Sequence, residues 1–258
     1  MRLKDKVAVV TGGGSGIGRA ACLALARAGA RVFLTDLNGA AAEETAALVH
    51  AAGGEARACT ADAGSAADAE RVIGEAVGAF GALHILYNNA GVALPFKDGF
   101  TPAIEPEIWD MVIRVNLSGV FYHSKYAIPA IAAAGGGAIV NAASSMAHLP
   151  LGGLDGYAAS KGGVAQLTRS MAVGCATMNI RVNAISPGYV DTPMNAVIFG
   201  SEELKRGFEK GHMSGLQTAE EIADVVVFLA SDEARSLTGA VINCDRGWTS
   251  FKQPEMMR

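Results

Sequence analysis

The sequence predicts an α/β fold, in which a doubly wound parallel sheet carries helices on both of its faces. Seven short runs of the 258-residue chain are apolar throughout rather than at alternate positions, which is typical of strands buried on both faces. Longer alanine-rich stretches with helical periodicity separate these runs, and such alternation of strand and helix indicates a doubly wound sheet. No linker or change in composition divides the chain, so we expect one domain over residues 1–258.

Each predicted strand is one of these apolar runs. In chain order they are residues 6–10, 31–36, 56–60, 83–88, 138–143, 181–186 and 240–244. The predicted helices begin near Gly16, Gly39, Ala66, Ile108, Gly156, Ser201 and Thr218. The last helix has a capping-box pattern, Thr218 to Glu221, ahead of an apolar stripe. We expect glycines 135–137 to turn a helix into a strand and residues 152–156 to form a loop.

Composition excludes several classes of protein. The net charge of −4 gives no electrostatic reason to expect nucleic acid or an anionic membrane as a partner. Without a signal-peptide pattern or an apolar stretch of about 18 residues, a cytoplasmic location is expected.

No cluster of His, Cys and carboxylates has metal-ligand spacing, so no metal is predicted. The cysteines are expected to be small buried side chains, with no disulfide: Cys22, Cys59, Cys175 and Cys244.

A glycine-rich turn, residues 11–18, follows the first predicted strand and opens the first helix. Glycines at this place allow a tight turn and a close approach of the backbone to a pyrophosphate, which the positive end of the helix would attract. The spacing departs from GxGxxG and fits TGxxxGxG. A purely structural turn is the alternative.

Asp36 ends the second predicted strand, about 20 residues beyond the glycines. A carboxylate at that position hydrogen-bonds the adenosine ribose hydroxyls of NAD and would repel the 2′-phosphate of NADP. The alternative is that Asp36 starts a turn or caps the next helix. We favour ribose binding, and hence NAD.

Tyr157 and Lys161 stand four residues apart at the start of a predicted helix, on one face of it. A phenol ionises near pH 10. A neighbouring ammonium favours the phenolate, which would let Tyr157 exchange a proton with an alcohol or ketone. By itself this pair occurs often by chance and usually lies on a solvated helix face.

Taken together, these patterns resemble the short-chain dehydrogenase/reductase family. Two further patterns carry this resemblance. They are Asn88-Asn89-Ala90-Gly91 after the fourth strand and Ser144, which stands thirteen residues before Tyr157. It covers residues 3–248 and implies a Rossmann-like domain with seven parallel strands, assembled as a homotetramer. It implies Tyr157 as the acid/base, Lys161 on the nicotinamide ribose, Ser144 on the reacting oxygen, and Asn116 holding a water in a proton relay. Asn116 could instead be a polar residue that kinks a long helix.

The same resemblance implies a set of cofactor-binding residues. They are Gly12, Ser15, Gly16, Ile17, Gly18, Asp36, Leu37, Asp62, Ala63, Asn89, Ala90, Gly91, Tyr157, Lys161, Pro187, Gly188, Val190 and Thr192. Asp62 would contact the adenine, and Val190 and Thr192 would hold the carboxamide. The chain departs from the family at Arg246, where a glycine is usual. That change could alter the C-terminal segment, whose residues 252–258 either contact a neighbouring subunit or fray.

Three regions could distinguish substrates: residues 93–107, 146–155 and 194–217. The last is expected to act as a lid, about 193–217, whose apolar residues suit a hydrophobic or cyclic substrate or are ordinary packing. They are Met194, Val197, Ile198, Phe199, Phe208 and Met213. His148 and His212 are expected to be surface or hydrogen-bonded residues rather than catalytic ones.

The leading hypothesis is an NAD-dependent oxidoreductase that moves a hydride between the nicotinamide and a secondary alcohol or its ketone. One alternative is an NADPH-dependent 3-oxoacyl-thioester or carbonyl reductase, against which Asp36 argues. Another is a non-catalytic dinucleotide-binding sensor, against which the retention of all four catalytic positions argues. The natural substrate, the stereochemistry and the physiological direction are left open.

Overall fold

A computed structural model describes residues 1–250, and its strands form one parallel sheet. The strand order is β3-β2-β1-β4-β5-β6-β7. The strands are β1 Val7–Thr11, β2 Arg31–Asp36, β3 Ala56–Thr60, β4 Ile85–Asn88, β5 Gly137–Ala142, β6 Ile180–Pro187 and β7 Val241–Cys244. The predicted α/β fold is confirmed, and each predicted strand lies within a few residues of the observed one.

Helices connect the strands. They are α1 Gly16–Arg27, α2 Gly39–Ala51, α3 Ala66–Phe80, α4 Pro106–Ile113, α5 Gly119–Ala133, α6 Asp155–Gly174, α7 Ala196–Phe199, α8 Glu202–Gly211 and α9 Ala219–Ala230. A π-helical turn, Arg114–Ser118, joins α4 to α5. Within residues 1–250, none of these helices is both long enough and apolar enough to cross a membrane.

Side-chain caps fix several helix starts. The capping box predicted at Thr218 is present, since its hydroxyl accepts from Glu221 N at 3.3 Å and its own N–H donates to Glu221 Oε2 at 2.9 Å. Asn38, at the start of α2, accepts from the backbone N–H of Ala41. Each cap satisfies an amide that the helix itself leaves without a partner, so the sequence marks these boundaries directly.

Two expectations were wrong in detail. The helix predicted to begin near Gly156 begins at Asp155, so the expected loop of residues 152–156 ends two residues earlier and Gly156 lies inside α6. Glycine normally disfavours a helix, and the reason that α6 tolerates it is a contact with Asp98 described below. Cys59 is only partly buried, because it lies on the edge strand β3, which has a neighbour on one side only.

The core lies on both faces of the sheet. Val7 and Val9 of β1 pack on the side of α3, α5 and α6, whereas Ala8 and Val10 pack on the side of α1, α2 and α9. Because successive residues of a strand point to opposite faces, both sets must be apolar. The continuous apolar runs of the sequence therefore follow from the doubly wound arrangement.

Candidate active site

A cavity of about 540 Å³ lies at the carboxyl ends of the strands. Its walls include the last residues of β2, β4, β5 and β6 and the segments that follow β1 to β6. Every predicted site residue lines it except Asn116. Open α/β sheets bind ligands at this edge, so the sheet brings together residues that are far apart in the sequence.

The glycine turn is shaped for close backbone contact. Gly12 and Gly16 have positive φ values of 65° and 51°. A Cβ on Gly12 would stand 2.9 Å from the Cα of Ala90, and one on Gly18 would stand 2.0 Å from the Gly12 carbonyl oxygen. The side chain of Ser15 makes no capping hydrogen bond, and the first turn of α1 has no acidic residue. That helix end suits an anion such as a pyrophosphate.

Asp36 joins the glycine turn to the start of α2. Its Oδ2 accepts from Gly14 N at 2.9 Å, and its Oδ1 accepts from Asn38 N at 2.9 Å. The second bond is the turn contact anticipated as the alternative interpretation, although Asn38 is the residue that caps α2. Each carboxylate oxygen retains further acceptor capacity for a ribose hydroxyl. The two interpretations of Asp36 are therefore compatible.

An ion pair occupies the end of the cavity at which the adenine is predicted to bind, the adenine end. Arg114 Nη1 donates to Asp62 Oδ2 at 2.7 Å, and Asp62 Oδ1 accepts from Gly64 N at 2.8 Å. Ala63 and the exposed Leu37 also line this end. The predicted contact between Asp62 and an adenine would therefore form beside a guanidinium that the sequence did not single out.

Asn89 ties the end of β4 to the glycine turn. Its Nδ2 donates to the carbonyl oxygens of Thr11 and Gly12, at 3.1 and 3.0 Å. Ala90 N donates to the Thr11 hydroxyl at 3.1 Å. These contacts explain why the Asn-Ala-Gly motif follows β4, the strand that pairs with β1.

Tyr157 and Lys161 lie together on α6, with the Lys161 Nζ 5.6 Å from the centre of the Tyr157 ring. Lys161 is buried, and its Nζ donates to the Ala142 carbonyl oxygen at 2.8 Å. Burial lowers the pKa of Lys161 to about 8. Burial also raises the pKa of Tyr157, and the side chain of Ser144 partly opposes that rise. In the protein alone, Tyr157 is therefore a neutral phenol at physiological pH.

Ser144 follows β5 and opens a single turn of 3₁₀ helix. Its hydroxyl accepts from Met146 N at 3.2 Å, and the residue is 8% exposed. The adjacent Ser145 also lines the cavity. Of these two serines, Ser144 is the one whose side chain acts on the Tyr157 pKa, in keeping with the interval that selected it.

Asn116 is fully buried in the π-helical turn. Its Oδ1 accepts from Val92 N at 2.7 Å, and its Nδ2 donates to Val92 O at 2.9 Å and Ser160 Oγ at 3.2 Å. The side chain thus links the segment after β4 to α6. It lies close to Lys161, since a Cβ on Gly91 would be 3.2 Å from Asn116 Oδ1 and 3.4 Å from Lys161 Nζ. A π turn is a common irregularity at functional sites, and the water relay stays a prediction.

Comparison with known proteins gives the same picture over the whole chain. A family model described as enoyl-(acyl carrier protein) reductase matches residues 12–249. The chain is 41% identical to a cyclohexanol dehydrogenase of Acinetobacter sp. (strain SE19), covering 96% of this chain and 97% of that one. The chain belongs to the short-chain dehydrogenase/reductase family.

Two further matches from this family bear on the site. A 4-formylbenzenesulfonate dehydrogenase of Comamonas testosteroni is 37% identical, covering 96% of this chain and 99% of that one. A solved short-chain dehydrogenase/reductase structure from Burkholderia xenovorans superposes with a TM-score of 0.92 at 36% identity, covering 98% of this chain and 99% of that one. The Rossmann-like fold implied by the resemblance is therefore confirmed. Short-chain dehydrogenase/reductases use nicotinamide cofactors, and the glycine turn and the uncapped end of α1 fit such a group.

The substrate end of this short-chain dehydrogenase/reductase receives residues from all three predicted regions. They are Ala93 and Pro95, Met146 and Leu154, and Met194, Asn195 and Ile198. Of the other apolar residues in 194–217, Phe199 and Phe208 pack in an aromatic cluster, whereas Met213 is exposed. The Val197 side chain lies outside the part of the chain that the structure describes.

Tyr189 is a substrate-end residue that sequence reasoning missed. The residue lines the cavity, and its ring packs against Phe208 and Trp248, with ring centres 4.1 and 5.1 Å away. Its backbone N–H donates to Nε2 of the buried His212 at 3.2 Å, and His212 Nδ1 lies 2.7 Å from the Phe208 carbonyl oxygen. His212 is thus a hydrogen-bonded residue, as expected, and so is His148, 3.1 Å from Ser186 Oγ. Tyr189 lies in the segment that the resemblance assigns to the cofactor, and for this reason the sequence did not single it out.

Arg246, where the family resemblance leads one to expect glycine, holds the end of the region after α8. Its backbone has a positive φ of 44°. Its guanidinium donates to the carbonyl oxygens of Ser214 at 2.6 Å and Leu216 at 2.9 Å, and also pairs with Glu221. Arg246 thus bonds residues 214–216 and Glu221, contacts that a glycine could not make, and its effect on the C-terminal segment stays a prediction. Residues 252–258, for which a subunit contact or a frayed end was predicted, lie outside the described residues.

Proposed function

We propose that the protein is an NAD-dependent dehydrogenase of secondary alcohols, with Tyr157 as the acid/base. The observation that carries the proposal is the convergence of Tyr157, Lys161 and Ser144 in the same cavity as the glycine turn and Asp36. A nucleotide laid along this cavity would bring its reactive end to the tyrosine. The cyclohexanol dehydrogenase among the relatives supports an alcohol as the substrate.

In oxidation, the alcohol carbon gives up a hydride and its oxygen gives up a proton. The nicotinamide, when bound, supplies the hydride acceptor. Tyr157 as phenolate accepts the proton from the hydroxyl, and Ser144 orients the same oxygen by a hydrogen bond. Lys161, as an ammonium beside the ring, favours the phenolate. In ketone reduction, the Tyr157 phenol donates the proton instead.

The proposal of NAD over NADP rests on Asp36. A 2′-phosphate on the adenosine ribose would bring its negative charge to a carboxylate that already bonds two backbone amides. The neighbouring cation, Arg19, is occupied, since its guanidinium donates to Gly14 O and pairs with Glu44 at 2.8 Å. Among the residues that the structure describes around this end of the cavity, no unpaired cation would offset the repulsion.

The lining favours an uncharged substrate. Among the described residues around the cavity, the only cations are Lys161 and Arg114, and Arg114 is paired with Asp62 at the adenine end. A sulfonate such as that of the Comamonas testosteroni relative's substrate would lie without a counter-ion, at a large desolvation cost. The lid proposed over residues 193–217 adds Met194 and Ile198. A neutral alicyclic alcohol, the class named for the Acinetobacter relative, suits this surface.

The homotetramer, the single domain and the cytoplasmic location stay predictions. Subunit association could be measured by light scattering of the purified protein. They do not bear on the chemistry proposed here.

The test is NADH formation, followed by absorbance, with a panel of secondary alcohols and with NAD and NADP in parallel. Turnover of cyclohexanol-type alcohols with NAD, and little with anionic analogues such as hydroxycyclohexanecarboxylates, is expected. Turnover of 3-oxoacyl thioesters with NADPH would support the reductase alternative. Cofactor binding without any turnover would support the sensor alternative.

A further inference from the structure

Asp98 is a fully buried carboxylate in the segment between β4 and α4. Its Oδ1 accepts from Gly156 N at 2.9 Å, and its Oδ2 accepts from Tyr157 N at 2.7 Å. Both partners belong to the first turn of α6, the helix that carries Lys161. Asp98 thus bonds directly to the backbone of the tyrosine proposed as the acid/base, although it precedes that residue by 59 positions.

The helix needs this contact, because it lacks a cap of its own. The residue before α6 is Leu154, whose side chain makes no capping hydrogen bond. The first amides of a helix have no partner within it and carry a partial positive charge. A carboxylate that accepts from two of them forms charge-assisted bonds, which are shorter and stronger than neutral ones. Asp98 therefore caps α6 from a distant part of the chain.

Gly156 makes room for the carboxylate. A Cβ at this position would stand 3.0 Å from Asp98 Oδ1, tighter than ordinary contacts. The contact thus explains why a residue that disfavours helices stands in the first turn of α6, one position before the tyrosine.

The segment that carries Asp98 is itself held at two places. Asp98 N donates to Leu94 O at 2.8 Å, which closes a turn next to the substrate-end residues Ala93 and Pro95. On the other side, Asp155 Oδ2 accepts from the amide and the hydroxyl of Thr101, at 2.9 and 2.6 Å. Each of the two parts therefore contributes a carboxylate that accepts hydrogen bonds from the other part. Asp155 of α6 accepts from the segment, and Asp98 of the segment accepts from α6 through two buried bonds.

We propose that Asp98 is a positioning residue that sets the place of Tyr157 and couples it to the substrate-end segment. The inference rests on the proposed role of Tyr157 and extends it. Asp98 does not touch the reacting atoms, since both its oxygens bond backbone amides. Its effect reaches the chemistry through the tyrosine backbone, and hence through the distance from the phenol to Ser144 and the alcohol oxygen.

Asp98→Asn tests the proposal with little change of shape. The amide keeps one acceptor, but its NH₂ group would face one of the two N–H donors, so the tyrosine backbone must shift. Because a misplacement of about 1 Å can cost about 100-fold in rate, kcat should fall roughly 10- to 100-fold. The KM for NAD should stay unchanged, and so should the affinity for NADH, measured by fluorescence, since Asp98 does not line the cavity. A protein that had merely lost stability would not show this split between kcat and cofactor binding.

Asp155→Asn is the matched control. It changes a carboxylate at the same junction, whose Oδ2 bonds Thr101 and not the tyrosine backbone. Its kcat should stay near that of the wild type, because a single oxygen of Asp155 accepts both Thr101 bonds and the amide oxygen of Asn can keep them. Gly156→Ala is the second variant, used also if Asp98→Asn does not fold, because its added methyl group displaces the same carboxylate and should lower kcat without changing any charge.

The failure of this inference differs from the failure of the proposed function. If Tyr157→Phe is inactive while Asp98→Asn and Gly156→Ala both keep the wild-type kcat, the positioning role is overturned and the acid/base role stands. An equal loss of kcat in Asp155→Asn and Asp98→Asn would also overturn it, because the effect would then belong to the junction as a whole. If Tyr157→Phe keeps full activity, the proposed function itself is wrong.

Discussion

The Nζ of Lys161 donates a hydrogen bond of 2.8 Å to the backbone carbonyl of Ala142, the last residue of β5. This contact fixes a buried ammonium between α6 and the sheet, 5.6 Å from the centre of the Tyr157 ring. Burial lowers the pKa of Lys161 from 10.5 to about 8. The protein therefore carries a destabilising group at the place where the chemistry is proposed, as enzymes often do.

Replacing this lysine should stabilise the protein while removing its activity. Between pH 8 and 10.5 the unfolded chain binds a proton that the folded protein does not, so stability rises with pH there, and the cost is fully present below pH 8. At neutral pH it amounts to at most about 3 kcal/mol, less the lost bond to Ala142. Lys161→Met should raise the melting temperature at neutral pH, and its advantage should shrink as the pH rises above 8. The exposed Lys125→Met is the control, and an equal effect of both would contradict the prediction.

The pH dependence of alcohol oxidation should report the ionisation of Tyr157. Burial raises the pKa of this phenol in the protein alone. Two positive charges, the Lys161 ammonium and the oxidised nicotinamide, favour the phenolate in the complex. The rate should therefore rise with pH through an apparent pKa below the ordinary value of about 10. In Lys161→Ala the apparent pKa should move upward, and a pH–rate profile that does not move would contradict this role of the lysine.

Cofactor preference should respond to Asp36. Asp36→Ala removes the acceptor for the ribose hydroxyls and the charge that repels a 2′-phosphate, so KM for NAD should rise and the discrimination against NADP should fall by roughly tenfold or more. Asp62→Asn, at the adenine end, is the matched control and should weaken both cofactors alike. Steady-state kinetics with each cofactor measure this ratio. An unchanged ratio in Asp36→Ala would mean that the ribose assignment is wrong.

Arg246 should control the substrate end and not the chemistry. Arg246→Gly removes the bonds to Ser214, Leu216 and Glu221, and glycine tolerates the positive φ of this position. Loosening the region after α8 should raise KM for the alcohol several-fold, with KM for NAD unchanged. Ala substitution of the exposed Arg235 provides a comparison. A fall in kcat alone would contradict this role.

The strands, the glycine turn and the cap at Thr218 could be predicted because each depends on residues close together in the sequence. A buried strand needs a continuous apolar run, and a helix cap needs a polar residue at its start. Thr218 and Glu221 are three residues apart, so their pairing is visible in the sequence.

Other parts of the site could not be predicted, because their partners meet only in the folded chain. Asp98 caps a helix that begins 57 residues later, and no local pattern marks it. Arg114 reaches Asp62 across 52 residues. The one signal that could have indicated Asp98 is Gly156, a helix-disfavouring residue at the predicted start of this helix and beside the tyrosine.

The measurement that tests the central claim most directly compares the initial rate of NADH formation from a cyclohexanol-type alcohol for the wild type and Tyr157→Phe. Phenylalanine keeps the ring and its packing and removes only the phenolic oxygen, which as a phenolate accepts the proton. The account predicts a loss of kcat of about 100- to 10,000-fold, with NADH affinity by fluorescence nearly unchanged. Wild-type turnover by Tyr157→Phe would contradict it.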